Sequence, residues 1–184
     1  MVLTYRGESD STNVIIKDDP RLNKTEDVKT AQRKMLSRLR TSSDKLVTGM
    51  DRLGESEEVL TKITTELRGL QGKEIDSLRN LTTIMQDSIK AIRNFISGSI
   101  SERQGISRPP QLTVLGTMQT AQQYITSKTV VPGQQEEQLV KNAEDMINAA
   151  VQRINNFYSN KWISYRKLVE GTKVNLFKDY TPIM

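Results

Sequence analysis

Three pairs of adjacent carboxylates, Asp18/Asp19, Glu57/Glu58 and Glu136/Glu137, are the residues best suited to acid–base chemistry in this sequence. Glycoside hydrolysis needs two carboxyl groups facing each other across a sugar at roughly 5–10 Å. Neighbours on a helix point about 100° apart, so such pairs diverge and read instead as solvated surface or first-turn caps. The chain contains no histidine and no cysteine. That removes the commonest general base, the commonest transition-metal ligand and every disulfide. RGESD (6–10) is the nearest approach to a calcium loop, but it lacks the spaced oxygen ligands such a loop requires. Neither a G-x-S-x-G elbow nor a glycine-rich phosphate loop occurs. No catalytic set, metal or cofactor is expected, and the chain reads as a non-enzyme.

Basic and aromatic groups offer binding rather than reaction. The net charge of +5 is spread thin: residues 1–70 hold 13 basic and 12 acidic side chains, 71–110 hold 6 and 4, and 111–184 hold 8 and 6. The densest basic run, Arg33, Lys34, Arg38 and Arg40, is flanked by acids, whereas nucleic-acid binding needs a concentrated basic face. A solvated helix surface is the expectation, with no nucleic-acid partner. Six of the nine aromatic residues fall between Phe157 and Tyr180. Among them Tyr158, Trp162 and Tyr165 sit at helical spacing and form a candidate surface for a sugar or a partner's apolar face. The alternative is that they fill the end of a helical bundle beneath a hairpin and tail, burying their rings and keeping polar tips wet.

The elements that must position these residues are mostly helical. With 35% apolar and 27% charged residues in 184, the composition fits one domain of long amphipathic helices. Leu39, Leu46, Leu53, Leu60 and Leu67 recur every seven residues, alternating with Val28, Met35, Ser42, Gly49, Ser56, Ile63 and Leu70. The Ser/Gly/Ser run in the middle admits a close helix or a large side chain; a ligand groove would use the same gap. Helices are expected at about 26–69, 73–99, 110–128 and 134–170. Thr25 is the first N-cap, RGLQGK (68–73) the first stop, and Pro109 and Pro110 open the third helix. The expected stripe of the third helix is Leu112, Leu115, Met118, Ala121 and Ile125. That of the last is Leu139, Ala143, Met146, Ala150, Ile154, Phe157, Tyr165 and Leu168.

Ahead of the helices, VLTY (2–5) and NVIIK (13–17) predict a β-hairpin closed by RGESDST. Asp18, Asp19 and Pro20 end it, and Lys173 to Phe177 is a candidate third strand. The fold class is therefore mainly α: an elongated antiparallel four-helix bundle with a short N-terminal β-hairpin. A broken three-legged version is the other arrangement, in which the second and third helices share one leg. Four legs, up-down-up-down, are favoured because they return the tail to the hairpin. No run approaches the ~20 apolar residues of a membrane span, so no membrane insertion is expected.

The order of these pieces resembles the helical region at the C-terminal end of exported bacterial proteins built around sortilin-like propellers with neuraminidase repeats. Many of those proteins are labelled glycosyl hydrolases. There an immunoglobulin-like or fibronectin-like domain ends in a strand and a "DPR" turn, matched by Asp19, Pro20 and Arg21. The short helix and its exit are matched by LTVLGTMQTAQQYITSKTVVPGQQ (112–135). The chain reads ISRPP where the family has Asn-Tyr-Pro, and KVNLFKDYTPI has no counterpart. The resemblance implies that residues 1–19 are a remnant of a preceding β domain and 20–184 the bundle. It also implies that any hydrolase activity sits in an absent propeller, and that the location is periplasmic or secreted.

The function expected is that of a non-catalytic spacer or docking module whose partner is the neighbouring β domain or another protein. Two alternatives stand beside it: a coiled coil self-associating through residues 28–70, and a carbohydrate-binding accessory domain using Tyr158, Trp162 and Tyr165. The interrupted Ser/Gly/Ser side favours a mixed intramolecular partner, and hence a monomer, over a symmetric zipper.

Overall fold

The computed structural model describes residues 1–15, 24–99 and 112–172. The expected turn at Asp19-Pro20-Arg21, the prolines at 109 and 110, and the candidate strand 173–177 lie outside those residues. The helices are α1 (Glu26–Glu66), α2 (Lys73–Ser97), α3 (Val114–Ser127), α4 (Gln134–Asn156) and α5 (Ile163–Gly171). A π-helical segment, Phe157–Trp162, joins α4 to α5 without a break. The mainly α bundle with a short hairpin is thus the observed architecture.

The hairpin itself is shorter than expected. Strand β1 (Val2–Tyr5) pairs antiparallel with β2 (Glu8–Ser11); of the expected NVIIK strand, residues 13–15 lie in no strand and 16–17 lie outside the described residues. Arg6 and Gly7 have φ of 50° and 87°, the two positive values that a tight two-residue hairpin turn requires. The ladder that this turn closes ends at Ser11, before NVIIK begins. The side chains of Thr4 and Ser9 meet across it at 3.1 Å, and all eight strand residues are exposed. Val14 and Ile15 follow, exposed and outside any strand.

In α1 the leucine seam is the core. Leu39, Leu46, Leu53, Leu60 and Leu67 are all buried, at no more than 6% exposure. Each contributes roughly 1.5–3 kcal/mol by leaving water. The opposite side of the seam accommodates a neighbour closely. A Cβ on Gly49 would stand 2.7 Å from Cδ1 of Ile154 on α4, and Ser56 bonds the hydroxyl of Tyr158 at 2.9 Å. Gly49 and Ser56 therefore serve packing: Ile154 and Tyr158 occupy the space they leave. At its C-terminal end α1 is capped from outside, by Arg79 Nη2 donating to the carbonyl of Leu67 at 2.7 Å.

Cross-helix pairs give the direction of each leg. Glu57 pairs with Arg93 and Thr64 with Gln86, so α2 runs antiparallel to α1. Gln32 reaches the carbonyls of Ile125 and Lys128 while Lys24 reaches that of Thr126, and Leu39 and Arg40 lie beside Met118 and Gln122. Hence α3 is antiparallel to α1 as well. Arg38 meets Glu137 and Glu144, Gly49 meets Ile154, and Ser56 meets Tyr158, so α4 runs parallel to α1. Of the two arrangements, the broken three-legged one is seen: α2 and α3 follow one another along a single middle leg. The favoured up-down-up-down order fails because α3 is too short to form a leg alone and packs on the half of α1 that α2 leaves bare.

Two core sections follow from that break. The larger joins Leu46 to Leu67 with α2, Ile147, Ile154, Phe157 and Tyr165. The smaller holds Leu39 with Ala121, Ile125, Val140 and Ala143. In α3 the register differs from expectation. Thr113 caps the helix by accepting from the Gly116 amide at 3.0 Å, so the helix starts at Val114 and not at the prolines. Its inward seam is Val114, Met118, Ala121 and Ile125, leaving Leu112 and Leu115 at 78% and 47% exposure.

The Gly49 contact yields a paired expectation. Gly49→Leu should lower stability by about 1–3 kcal/mol through overpacking against Ile154. Gly54→Ala, whose Cβ meets only Arg93 at 3.8 Å, should raise it by up to about 1 kcal/mol through helix propensity. Urea unfolding of the two variants checks both signs.

Candidate functional site

The aromatic residues singled out above sit along the last leg, and most of their surface is already used. Tyr165 is buried, with its hydroxyl 2.8 Å from Oγ1 of Thr82 on α2. Thr82 donates to the carbonyl of Leu78 at 2.8 Å, so it accepts from the tyrosine. Tyr158 and Trp162 are half-buried and pack on the core. Phe157, Tyr158, Trp162 and Tyr165 form a chain of ring contacts with centroids 5.2–6.1 Å apart, the edge-on and tilted spacing that aromatic pairs favour. Burial pushes both tyrosine hydroxyls up in pKa; the bonds to Ser56 and Thr82 partly oppose this. The structure brings the three residues together, but as a ladder between α1 and α2 and not as a row of free ring faces. Their place is in the lower half of the rod, beside α2 and the C-terminal half of α1. It is not beneath the hairpin, which precedes the opposite end of α1.

The π segment sets their register. Val140, Ala143, Ile147, Ala150, Ile154 and Phe157 are buried at alternating spacings of three and four. Continued without change, that seam would turn Lys161, Ser164 and Leu168 inward. All three are exposed, and Trp162, Tyr165 and Val169 face the core instead. One extra residue in the wider π turn accounts for the shift. Leu168, expected on the stripe, lies one position out of phase for that reason; Leu139 and Met146, before the π segment, miss the seam because Val140 and Ile147 beside them take the buried positions.

The two described carboxylate pairs diverge as expected, while Asp18/Asp19 lie outside the described residues. Glu57 makes a two-pronged bond to Arg93 at 2.7 and 2.9 Å, and its neighbour Glu58 is exposed. Glu137 turns outward to Arg38, while Glu136 is 2% exposed. Glu136 Oε2 accepts from the Gly133 amide at 2.8 Å and Oε1 faces Lys128 Nζ at 3.0 Å as an ion pair outside hydrogen-bonding geometry. The Gly133 amide and then Lys128 hold its pKa below the usual carboxylate range, outweighing burial. Of the two roles expected for these pairs, Glu136 takes the first-turn cap, closing the start of α4 three residues after Gly133 and buried rather than solvated. In the basic run, Arg38 is likewise not free surface: bonds first to Glu144 and then to Glu137 raise its pKa above the ordinary value. Among the described residues no cluster of three acids is placed to hold a metal ion, and no helix is long and apolar enough to cross a membrane.

What sequence reasoning missed is a groove between α2 and the last leg. It encloses ≈ 560 Å³, with Ile84, Ala91 and Phe157 on its floor and Asp87, Arg153 and Lys161 on its rim. Only the exposed Ile84 on an otherwise polar face could have hinted at it. No family model, curated protein or solved structure matches this chain.

Two measurements test the ladder. Deleting Ser159 should leave a continuous α-helix with Trp162, Tyr165 and Val169 still facing the core. Inserting an alanine after Ser159 should throw them out, so circular dichroism melting should tolerate the first change and not the second. Tyr165→Phe should cost about 1 kcal/mol by leaving Thr82 one bond short. Since the folded pKa of Tyr165 lies above its unfolded value, its stabilisation is present below about pH 10 and lost as pH rises through the folded value. The alkaline fall in melting temperature should therefore be shallower in Tyr165→Phe than in the parent.

Proposed function

We propose that this chain is a non-catalytic helical-bundle module of a larger exported multidomain protein, periplasmic or secreted, acting as a spacer and docking element. The observation that carries this reading is the placing of the two ends of the bundle. Lys24 and Gln32, at the start of α1, lie beside the end of α3. Gly171 and Thr172, at the end of α5, lie beside Lys73 at the start of α2, which follows the far end of α1. A helix of 41 residues separates those points by about 60 Å. A chain that enters a rod at one end and leaves at the other holds its neighbours apart.

The hairpin supplies the docking half. Val2, Leu3 and Tyr5 are between 62% and 68% exposed, and β1 and β2 approach no described helix. A two-stranded ladder alone is marginal in water, so a further β strand from a neighbouring domain is its natural support. Against self-association through residues 28–70, the leucine seam is consumed within one chain. Against a sugar platform, the rings of Tyr158, Trp162 and Tyr165 pack on one another and on the core.

Two results test the proposal. The coding frame upstream of residue 1 should carry an export signal and propeller repeats; a frame that starts at Met1 with neither would overturn it. Removal of residues 1–19 should move the melting temperature of the bundle by no more than about 2 °C, under about 1 kcal/mol for a chain of this size. A large loss would make the hairpin part of the bundle and remove its docking role.

A further inference from the structure

The three seams of the bundle are finished differently. Arg38 closes the α1/α4 seam with Glu137 and Glu144, and Arg93 closes the α1/α2 seam with Glu57. Across the seam between α2 and the α4–π–α5 leg, no carboxylate pairs with a cation among the described residues. Lys161 instead reaches the hydroxyl of Ser88 at 3.0 Å, and Arg153 lies over the Phe95 ring at 3.8 Å. The ≈ 560 Å³ groove lies here, its apolar floor including Ile84, which is 48% exposed. Farther along the same two helices a second hollow of ≈ 500 Å³ has Leu168 on its wall and Lys73, Glu74 and Lys167 on its rim.

Taken along the whole seam, the rim carries Arg153, Lys161, Lys73 and Lys167 against Asp87 and Glu74, four cations to two carboxylates. The stretch of α2 from Lys73 to Ile92 is about 30 Å long, the span of roughly five helical turns. The π turn is what presents Asn160 and Lys161 to this groove while Trp162 points to the core. An apolar floor between two helices, bordered by unneutralised cations, matches the apolar stripe and flanking acids of an amphipathic helix.

The geometry points to this groove as the docking site for an acidic amphipathic helix of a partner protein, which would complete the bundle as a fourth leg. The site lies wholly on the helices and does not use the hairpin, so it stands or falls apart from the reading given above.

The test uses the full chain and two synthetic helical peptides of about 20 residues. Both carry Leu at i, i+3, i+4 and i+7; one has Glu on the flanks of that stripe and the other Lys. Fluorescence anisotropy should show saturable binding of the Glu peptide, weakening with added salt, and amide shift mapping should place it on Ile84, Ala91, Asn160 and Lys161. Lys161→Glu should weaken the Glu peptide about tenfold and strengthen the Lys peptide; Ile84→Asp should abolish binding of both. Ile84 and Lys161 are exposed, and unchanged melting curves confirm that the variants fold. Equal binding of the two peptides, absence of saturable binding, or indifference to Lys161→Glu would overturn the proposal. So would a concentration-dependent dimer of the parent chain that Lys161→Glu dissolves, since the occupant would then be a second copy.

Discussion

A single stripe of leucines on one long helix has to be covered along its whole length, and the other helices are arranged by that need. Leu39 to Leu67 present about four heptads of apolar surface, longer than α2 or α3 alone. The last leg covers it by running parallel, close enough at Gly49 and Ser56 to bring Ile154 and Tyr158 against the backbone of α1. The middle leg covers it in two pieces, α2 over the C-terminal half and α3 over the N-terminal half. Each piece builds its own section of core, and the polar contacts from Gln32 and Arg79 satisfy carbonyls where helices end.

A parallel pair of long legs has a second consequence. The chain must pass from one end of the rod to the other, which separates the hairpin from the last turn of α5. It also creates a seam, between α2 and the last leg, that the leucine stripe does not need and that the arginine–carboxylate latches do not cross. The features outside the core therefore concentrate at the hairpin and in that seam.

The π turn shows how the last leg reconciles two demands. A heptad register brings Val140 to Phe157 inward against α1 and α3, while the wide aromatic residues beyond need to meet both α1 and α2. One extra residue in the turn rotates the rest of the helix by about 100°. That places Tyr165 against Thr82 and sends Lys161 outward to the groove.

Helix existence, the leucine seam, the small-residue gap and the divergence of the two described acidic pairs were legible in the sequence, because each depends on spacing along one helix. The hairpin's second strand was not, since apolar content pointed to NVIIK while the backbone demands at Arg6 and Gly7 decided the turn. The start of α3 was missed because it is set by the Thr113 side chain, which accepts from the Gly116 amide. The burial of Glu136 and the exposure of Leu168 depend on partners, Lys128 in one case and the π turn in the other. Periodicity determined by itself that this is a bundle of amphipathic helices with one dominant seam. Only the tertiary structure decided that α2 and α3 share a leg and that the aromatic rings turn inward, leaving a cationic groove open, because direction and register are set by contacts between helices that no spacing within one helix encodes.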